Sequence, residues 1–220
     1  MNPMKTASIL AALTVSLVVD CHAQSPVFSF SFEDSHSEAK SVPSKTVGKI
    51  AFEPGPIGKA ATFDGSTSIE IPHNQAFDAS KFSIAAWASP QQEKCSGRIL
   101  EKGASNSFWL TFYWGRARFG FWNPEEGYQE IDSATKFKAN EWHQVTGTFD
   151  GETLRLYVDG KLETMRKTSG APSFNKQPLV IGAKLKGIAG DVFLGALDEV
   201  AFYDRVVPDA EIKALFDAGS

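Results

Sequence analysis

Residues 141–161 read EWHQVTGTFDGETLRLYVDGK, and this stretch decides the fold. From 142 to 149, and again from 153 to 158, the side chains alternate between two faces, as expected for strands with a buried face. Asp-Gly pairs follow both runs, at 150–151 and 159–160, and this pair favours hairpins because both turn residues need positive φ. The stretch therefore predicts three consecutive antiparallel strands. Trp142 is expected to open the first of them and to be buried beneath the second hairpin.

The same pattern extends in both directions along the chain. Short alternating runs predict strands at 27–32, 59–63, 68–71, 81–88, 98–102, 107–113, 116–122, 128–131, 178–182 and 192–203, with polar loops at 34–49 and 90–97. Residues 208–218 (PDAEIKALFDA) predict one helix, because proline opens it and acidic residues occupy its first turn. Its apolar residues Ile212, Leu215 and Phe216 share one face, which predicts packing on a sheet. Many short strands indicate a sandwich or a barrel.

The first 23 residues have the features of a secretory signal peptide. Lys5 precedes an apolar run from 9 to 19, and the small residues Cys21 and Ala23 suit cleavage after Ala23. The run is too short to span a membrane, although an uncleaved anchor is the alternative, and Asp20 argues against acylation of Cys21. We therefore expect a signal peptide at 1–23 and one domain at 24–220. The protein would be secreted or periplasmic, with no membrane span after cleavage.

Cysteine content and charge limit the remaining classes. Cleavage would leave Cys95 alone in the polar segment QQEKCSGR, where the thiol could react, pair with another chain or have no role. The 220 residues include 42% hydrophobic residues and 17 phenylalanines, which suffice for a sizeable core. The net charge is −4, and the sequence has no basic patch of the kind that follows a phosphate backbone. Nucleic acid is therefore not expected as a partner.

Seven segments occur in an order that resembles a known family. They are KFSIAAW (81–87), ILEKG (99–103), EWHQVTGTFDG (141–151), LRLYVDGK (154–161), PLVIGA (178–183), GALDEVAFYDR (195–205) and EIKALF (211–216). In this order they resemble the laminin-G-like jelly-roll family, within the concanavalin A-like lectin and glucanase superfamily. The resemblance covers roughly 28–216 and implies an all-β jelly-roll sandwich of two antiparallel sheets with a short C-terminal helix. The Leu-Ser that usually precedes the family's last helix is Val207-Pro208 here.

The resemblance leaves catalysis to be tested on the residues, because one fold supports many functions. Similar members are mostly binding or adhesion modules on exported bacterial proteins, whereas glucanase branches carry Glu-x-Asp-x-Glu, or a version with one more spacer, on one strand. Glu130 and Asp132 could share a face here, but Ala134 and Thr135 stand where the third carboxylate belongs. No serine elbow, phosphate loop or paired histidine ligands are present in the sequence. We therefore expect no enzymatic activity.

A structural calcium ion is a further expectation from the resemblance. Members of the family can carry calcium where the first and last strands join, and the matching residues here are Glu33, Asp34 and Asp198. Calcium prefers several oxygen ligands from carboxylates and backbone carbonyls. The alternative is that Asp198 accepts backbone hydrogen bonds at a bend in its strand.

The aromatic pattern is the best functional clue in the sequence. The sets 108, 110, 112 and 114 and 117, 119 and 121 are uniformly apolar and are predicted to face the core. The alternate positions hold Trp109, Tyr113, Arg118 and Trp122, which are predicted to face outward together. Aromatic rings with a polar handle suit stacking on sugars, and arginine can supply hydrogen bonds. Cover by a loop, by the helix or by another protein is the alternative.

These patterns predict an exported, non-catalytic binding module whose leading ligand is a glycan. The hypothetical site is Trp109, Tyr113, Arg118 and Trp122. The second hypothesis is a structural or protein-adhesion domain that uses the same surface, with a cell-surface or extracellular protein as its partner. A glycoside hydrolase of the glucanase branch ranks third, because its carboxylate set is incomplete.

Overall fold

The computed structural model describes residues 25–33, 42–103, 106–183 and 192–220, and the predicted signal peptide lies outside them. In these residues the strands are β1 (Phe28–Phe30), β2 (Lys45–Val47), β3 (Ala51–Pro54), β4 (Lys59–Asp64), β5 (Ser68–Ile71), β6 (Phe82–Pro90), β7 (Gly97–Lys102), β8 (Phe108–Tyr113), β9 (Arg116–Asn123), β10 (Gly127–Asp132), β11 (His143–Phe149), β12 (Thr153–Val158), β13 (Lys161–Lys167), β14 (Leu179–Ile181) and β15 (Leu194–Tyr203). One α-helix, α1, covers Asp209–Asp217, and a short 3-10 turn covers Gln75–Phe77.

The described strands form two antiparallel sheets that pack face to face. The first sheet has the order β13-β12-β11-β6-β15-β4-β3, with β1 also paired to β15. The second sheet has the order β10-β9-β8-β7-β14-β5-β2. Neighbours such as β6 and β15 are far apart in sequence, so the chain crosses repeatedly between the sheets. The all-β jelly-roll sandwich predicted from the sequence is therefore confirmed.

The hairpins predicted from the opening stretch are present. Strand β11 pairs with β12, and β12 pairs with β13 across a two-residue turn in which Val158 lies opposite Lys161. Asp159 and Gly160 both have positive φ, 51° and 71°, as this tight turn requires. The loop between β11 and β12 is longer, and Gly151 within it has a φ of 98°. The period-two pattern thus gave the correct strands.

Trp142 does not have the predicted role. Strand β11 begins one residue later, at His143, and Trp142 is only half-buried. The hairpin turn instead contacts the start of β11 through Asp159, whose carboxylate lies 2.8 Å from Nδ1 of His143 and accepts a hydrogen bond from the Gln144 N–H. Polar contacts therefore fix the start of β11. Trp142, which precedes this strand, is not a core side chain.

Phenylalanine rings fill the space between the sheets. The ring of Phe82 lies 4.8 Å from that of Phe108, and 6.0 Å from that of Phe202. Gly147 occupies a core-facing position of β11 because a Cβ there would lie 2.3 Å from the Phe119 ring. The missing side chain of one strand thus makes room for an aromatic ring of the other sheet.

Helix α1 covers the outer side of the first sheet, as predicted. Ile212 is fully buried against Ala85, Tyr157 and Tyr203, and Phe216 stacks on Trp87 with ring centroids 5.6 Å apart. The hydroxyl of Tyr157 donates a hydrogen bond to Asp209 at 2.8 Å. Pro208, predicted as the first helical residue, is instead the N-cap, and the helix begins one position later, at Asp209.

Three further segments differ from the sequence prediction. Strand β2 lies in the predicted loop at 34–49 and pairs with β5, and β3 pairs with β4 in a segment for which no strand was predicted. Both are short edge strands whose residues are mostly exposed, so they lack the alternation that a half-buried strand shows. Pro90 and Gly97, predicted in one loop, end β6 and begin β7.

Cys95 is buried in the core and not exposed in a polar loop. Burial raises the pKa of its thiol to about 11, so the reactive thiolate is scarce at neutral pH. The burial also removes the sulfur from reach of another chain. A reactive or intermolecular role for this thiol is therefore wrong for the folded protein.

Candidate functional site

The outer face of β8, β9 and β10 carries the candidate site. In the strand register Thr111 lies opposite Arg118, and Arg118 lies opposite Asp132 on the next strand. At the other end of the face, Trp122 lies opposite Tyr128. Alternate residues of the three strands therefore share one outward side. The structure places Trp109, Tyr113, Arg118 and Trp122 on that side, as their sequence parity predicted.

Sharing a face does not make all four residues accessible. Trp109 is only 2% exposed, so the prediction that its ring looks out to solvent is wrong. Its strand lies inside the sheet, with Glu101 of β7 opposite it on one side, and its ring meets the edge of Tyr128 at 5.7 Å. Trp122 is half-buried and contacts Tyr128 at 4.8 Å in an edge-to-face arrangement. Neighbouring strands and rings thus cover Trp109, and Tyr128 becomes the exposed surface at this end.

Arg118 occupies the centre of the face and is held rigidly. Its Nε and Nη2 donate to the two carboxylate oxygens of Asp132 at 2.6 and 2.9 Å, and its Nη1 lies 2.8 Å from Glu130. Its guanidinium carbon lies 3.8 Å above the Tyr113 ring. Three of its five N–H groups are therefore engaged with carboxylates of the same face. Arg118, Glu130 and Asp132 form an ion cluster, which lies between the aromatic residues at the two ends of the face.

Two exposed aromatic residues on this surface were not assigned to the site from sequence. Trp114, predicted to face the core, is 65% exposed, and Tyr128 is 57% exposed. Trp114 sits with Gly115 in the β8–β9 turn, where both residues have positive φ. Strand parity does not continue into such a turn, so the Trp-Gly pair itself was the available signal. Tyr128 had no signal beyond its place opposite Trp122.

A groove of about 780 Å³ borders the turn end of this face. Its lining comes from the β8–β9 turn, from the segment before β7 and from the loop after β10. The loop after β10 is tied to the first sheet, because Glu163 of β13 accepts a hydrogen bond from the Thr135 N–H at 3.0 Å. Tyr113, 45% exposed, and Trp114 are the exposed aromatic residues of the lining, and Phe137 is buried beneath it.

The carboxylates considered for hydrolysis belong to the ion cluster. Glu130 and Asp132 share the outer face, as their spacing predicted, and both contact Arg118. Burial raises the pKa of Glu130, although the positive charge of Arg118 opposes that shift. The strand ends at Asp132, and Ala134 offers only its carbonyl, to Arg116. A third carboxylate in the glucanase spacing is thus lacking on this strand.

Two of the three residues expected to bind calcium, Asp198 and Glu33, lie near the same loop. Asp198 is fully buried, and its carboxylate accepts hydrogen bonds from the N–H groups of Ile57 at 3.1 Å and Glu199 at 2.8 Å. Glu33 accepts a hydrogen bond from the Lys59 N–H in the same segment, and Asp34 lies outside the described residues. Burial raises the pKa of Asp198 to about 7.

These contacts match the alternative in which Asp198 receives backbone hydrogen bonds at a strand bend. Glu199 has a φ of 47°, and the register of β15 against β6 shifts after Asp198. Among the residues that the structure describes, no group of three or more acidic, histidine or cysteine side chains could hold a metal ion.

The fold and the surface define a class, an antiparallel jelly-roll sandwich with an aromatic and charged outer face. A family model described as the concanavalin A-like lectin/glucanases superfamily matches residues 63–213, so the chain belongs to this superfamily. No curated protein matches the sequence. No helix in the described part of the chain has the length and apolar character needed to cross a bilayer.

Several solved structures share the fold at low sequence identity. The binding domain of Paraclostridial Mosquitocidal Protein 1 superposes with a TM-score of 0.73 and 15% identity, over 88% of this chain and 52% of that one. Domain 4 of AbnA superposes with a TM-score of 0.71 and 17% identity, over 89% of this chain and 98% of that one. AbnA is a GH43 extracellular arabinanase from Geobacillus stearothermophilus, and the domain was solved with arabinotriose.

A third structure is of botulinum neurotoxin type C, a toxin whose cell entry depends upon interaction with two ganglioside molecules. It superposes with a TM-score of 0.71 and 15% identity, over 89% of this chain and 51% of that one. The chain thus spans about half the length of the two toxin structures and nearly all of the arabinanase domain. At these identities the likeness establishes the fold alone.

Proposed function

We propose that this protein is a non-catalytic binding module that recognises glycans through the outer face of β8, β9 and β10. One observation carries the proposal: the rings of Tyr113, Trp114 and Tyr128 are exposed on one sheet surface. Exposed aromatic clusters mark interfaces, because leaving such rings in water forgoes the gain from their burial. Flat rings beside hydrogen-bonded charged groups suit sugars, which present an apolar ring face and a rim of hydroxyls.

The related structures support this ligand class. One is an extracellular arabinanase domain solved with arabinotriose, and another concerns a toxin that depends on gangliosides. Both ligands contain sugars, and both proteins share the fold of this chain. The sites of those proteins cannot be transferred residue by residue at 15–17% identity. The support therefore concerns the class of ligand.

The arrangement of the ion cluster supports a binding role without catalysis. Hydrolysis of a glycosidic bond uses a pair of carboxyl groups, one acting as an acid and the other as nucleophile or base. Here both oxygens of Asp132 accept hydrogen bonds from Arg118, so this carboxylate is held in place by the protein and is not free to act on a bond. The glucanase alternative would gain support if the purified protein released reducing sugar from a polysaccharide.

A glycan array probed with the mature protein tests the proposal, followed by affinity measurements on two variants. Trp114→Asn and Tyr128→Ala should each weaken binding of the selected glycan by about tenfold, equivalent to about 1.4 kcal/mol. Met165→Ala is the matched control, because Met165 is 63% exposed and lies on β13 of the other sheet. Equal affinity in all three variants would contradict the proposed face.

Protein adhesion is the second candidate function. Leu162 and Met165 are exposed on β13, an edge strand of the first sheet, so a second surface with apolar side chains is available to a protein partner. Edge strands with exposed apolar residues readily add another chain. A silent glycan array, together with capture of an extracellular protein that Leu162→Lys abolishes, would favour this function over glycan binding.

Export and calcium complete the proposal. The apolar run and the small residues of 1–23 support cleavage and export, which would place the binding face outside the cytoplasm.

A structural calcium ion at Glu33, Asp34 and Asp198 would compensate the buried charge of Asp198, whose environment disfavours ionisation. Calcium would stabilise the loop between β3 and β4 without taking part in ligand binding.

A further inference from the structure

The groove beside the β8–β9 turn has a composition that narrows the ligand class. Its charged lining residues are Glu93, Lys94, Arg116, Asp132, Lys136 and Lys138. Four of these residues are cationic and two are acidic, in a chain whose formal net charge is −4. A local excess of positive charge on an acidic protein attracts anions selectively to that place.

The acidic residues of the groove cancel only part of its positive charge. Asp132 is bound through both oxygens by Arg118, at 2.6 and 2.9 Å, and the same guanidinium also contacts Glu130 at 2.8 Å. Glu93 is the remaining acid, and it lies on an exposed loop. The groove therefore keeps an excess of positive charge for a ligand.

Several cations of the groove remain uncompensated. Lys94 and Lys136 are exposed, and neither forms an ion pair within the described residues. Arg116 donates from Nη1 to the carbonyl oxygens of Ser133 and Ala134, both at 2.6 Å. Neutral carbonyl partners fix the position of the guanidinium but leave its charge available to an anion.

Lys138 contributes less to the groove than these three cations. Its partner is Glu141, at 3.1 Å, and both side chains are largely exposed. The uncompensated charge thus centres on Lys94, Arg116 and Lys136.

Trp114 provides an aromatic wall whose presence the turn does not explain. Both turn positions have positive φ, which favours Asn, Asp or Gly, yet the first position holds an exposed tryptophan. The turn is clamped on both sides: the Trp114 N–H donates to Ser96 Oγ at 3.0 Å, and the Gly115 N–H donates to the Cys95 carbonyl at 2.9 Å. A large exposed ring, carried on a fixed backbone at the mouth of a cationic groove, is suited to stacking on a ligand.

We propose that this groove binds acidic sugar units, with the sugar ring against Trp114 and its acidic group facing Lys94, Arg116 and Lys136. The proposal rests on the proposed glycan-binding function and adds the charge of the ligand to it. Carboxylated sugars and sulfated sugars share the required chemistry, an apolar ring face with an attached anion. Arginine favours planar carboxylates and sulfates through paired N–H groups, and the lysines add point charges.

Affinity measurements with three probes of similar length test the proposal. The probes are an oligogalacturonate, a sulfated heparin oligosaccharide and a neutral xylo-oligosaccharide, each measured at low and physiological salt. The wild-type protein should bind one or both acidic probes more tightly than the neutral probe. Raising the salt should weaken only the acidic probes, because screening acts on charged pairs. The acidic probe that binds more tightly identifies the source of the anion.

Two variants locate the effect in the groove. The double variant Lys94→Gln/Lys136→Gln should lose about tenfold or more in affinity for the acidic probe, as expected when charge-assisted contacts are removed. Lys45→Gln is the matched control, since Lys45 is an exposed lysine on β2, at the opposite edge of the same sheet. The control should keep the wild-type affinity.

The possible failures are distinguishable. Binding of neutral probes that Trp114→Asn abolishes, without preference for acidic probes, would overturn the charge preference and leave the glycan-binding function intact. An unchanged affinity for acidic probes in the lysine double variant would also overturn the groove as their site. Failure of every probe to bind would count against both proposals.

Discussion

At the scale of single residues, the two tryptophans of β8 and its turn have opposite roles. Trp109 is fully enclosed and should act as core, whereas Trp114 projects into solvent. We expect Trp109→Ala to lower the free energy of unfolding by about 3–5 kcal/mol, because it leaves a large cavity. Thermal and denaturant unfolding measure this loss. A variant that unfolds like the wild type would show that Trp109 is not packed as described.

Trp114→Asn should behave in the opposite way. Asparagine is favoured at the first position of this turn, so the free energy of unfolding should change by less than about 1 kcal/mol. Glycan affinity should nevertheless fall, because the exposed ring is removed. Measuring unfolding and binding on the same samples separates the two effects. A destabilised Trp114→Asn protein would indicate that the ring supports the fold.

Asp198 gives a prediction about pH. Burial raises its pKa from 3.8 to about 7, so between these values the folded protein binds more protons than the unfolded chain. The free energy of unfolding should therefore fall as the pH rises through this window. His143 acts in the same direction, because the hydrogen bond with Asp159 raises its pKa. Tm measured from pH 4 to 8 in a chelator should decline, and the decline should be smaller in Asp198→Asn.

Calcium bound beside Asp198 would oppose the fall in the free energy of unfolding that ionisation of this carboxyl causes at high pH. A bound cation favours the ionised carboxylate, so added calcium should raise Tm more at pH 8 than at pH 5. Glu33→Gln should reduce this gain, and magnesium serves as the matched control because it demands stricter geometry. Identical melting curves with calcium and with chelator at pH 8 would rule against the ion.

At the scale of elements, the C-terminal helix should contribute to stability through one buried face. Ile212 is fully enclosed against the first sheet, while its neighbour Lys213 is exposed. Ile212→Ala should lower the free energy of unfolding by about 2–4 kcal/mol, and Lys213→Ala by less than about 0.5 kcal/mol. Denaturant unfolding of both variants provides the comparison. Equal losses would mean that the helix does not dock through this face.

Sequence patterns predicted the interior strands and the helix well, for a physical reason. Strands such as β8, β9 and β11 have a core-facing side of uniformly apolar or small residues, which period-two alternation reveals. Edge strands β2 and β3 are largely exposed and carry no such signal. Local pattern therefore finds an element only where burial has shaped its composition.

At the scale of the whole molecule, export and the buried cysteine give one combined prediction. Mature protein should begin at Gln24 and contain one cysteine, Cys95, which is buried and has a raised thiol pKa. Its thiol should react with a disulfide reagent only after unfolding. Intact-mass measurement of secreted protein, with and without denaturant, checks both parts. A retained N-terminus, a lipid on Cys21 or rapid labelling of native protein would contradict them.

The sequence by itself determined the two-faced strands, the hairpin turns, the covering helix and the shared side of Trp109, Tyr113, Arg118 and Trp122. These features follow from alternation and turn chemistry, which act between neighbours in sequence. Sequence order also supported the resemblance to the superfamily to which the chain belongs.

Only the tertiary structure decided which outward residues water can reach. Trp109 and Tyr128 share the outer face, yet one is enclosed and the other is exposed. The difference arises because the position of each strand within the sheet, and the rings placed beside it, determine the exposure of a side chain. The same is true of the cationic groove, whose walls come from three separate loops. Contacts between distant segments have no local signature, so alternation could define the face but not the site on it.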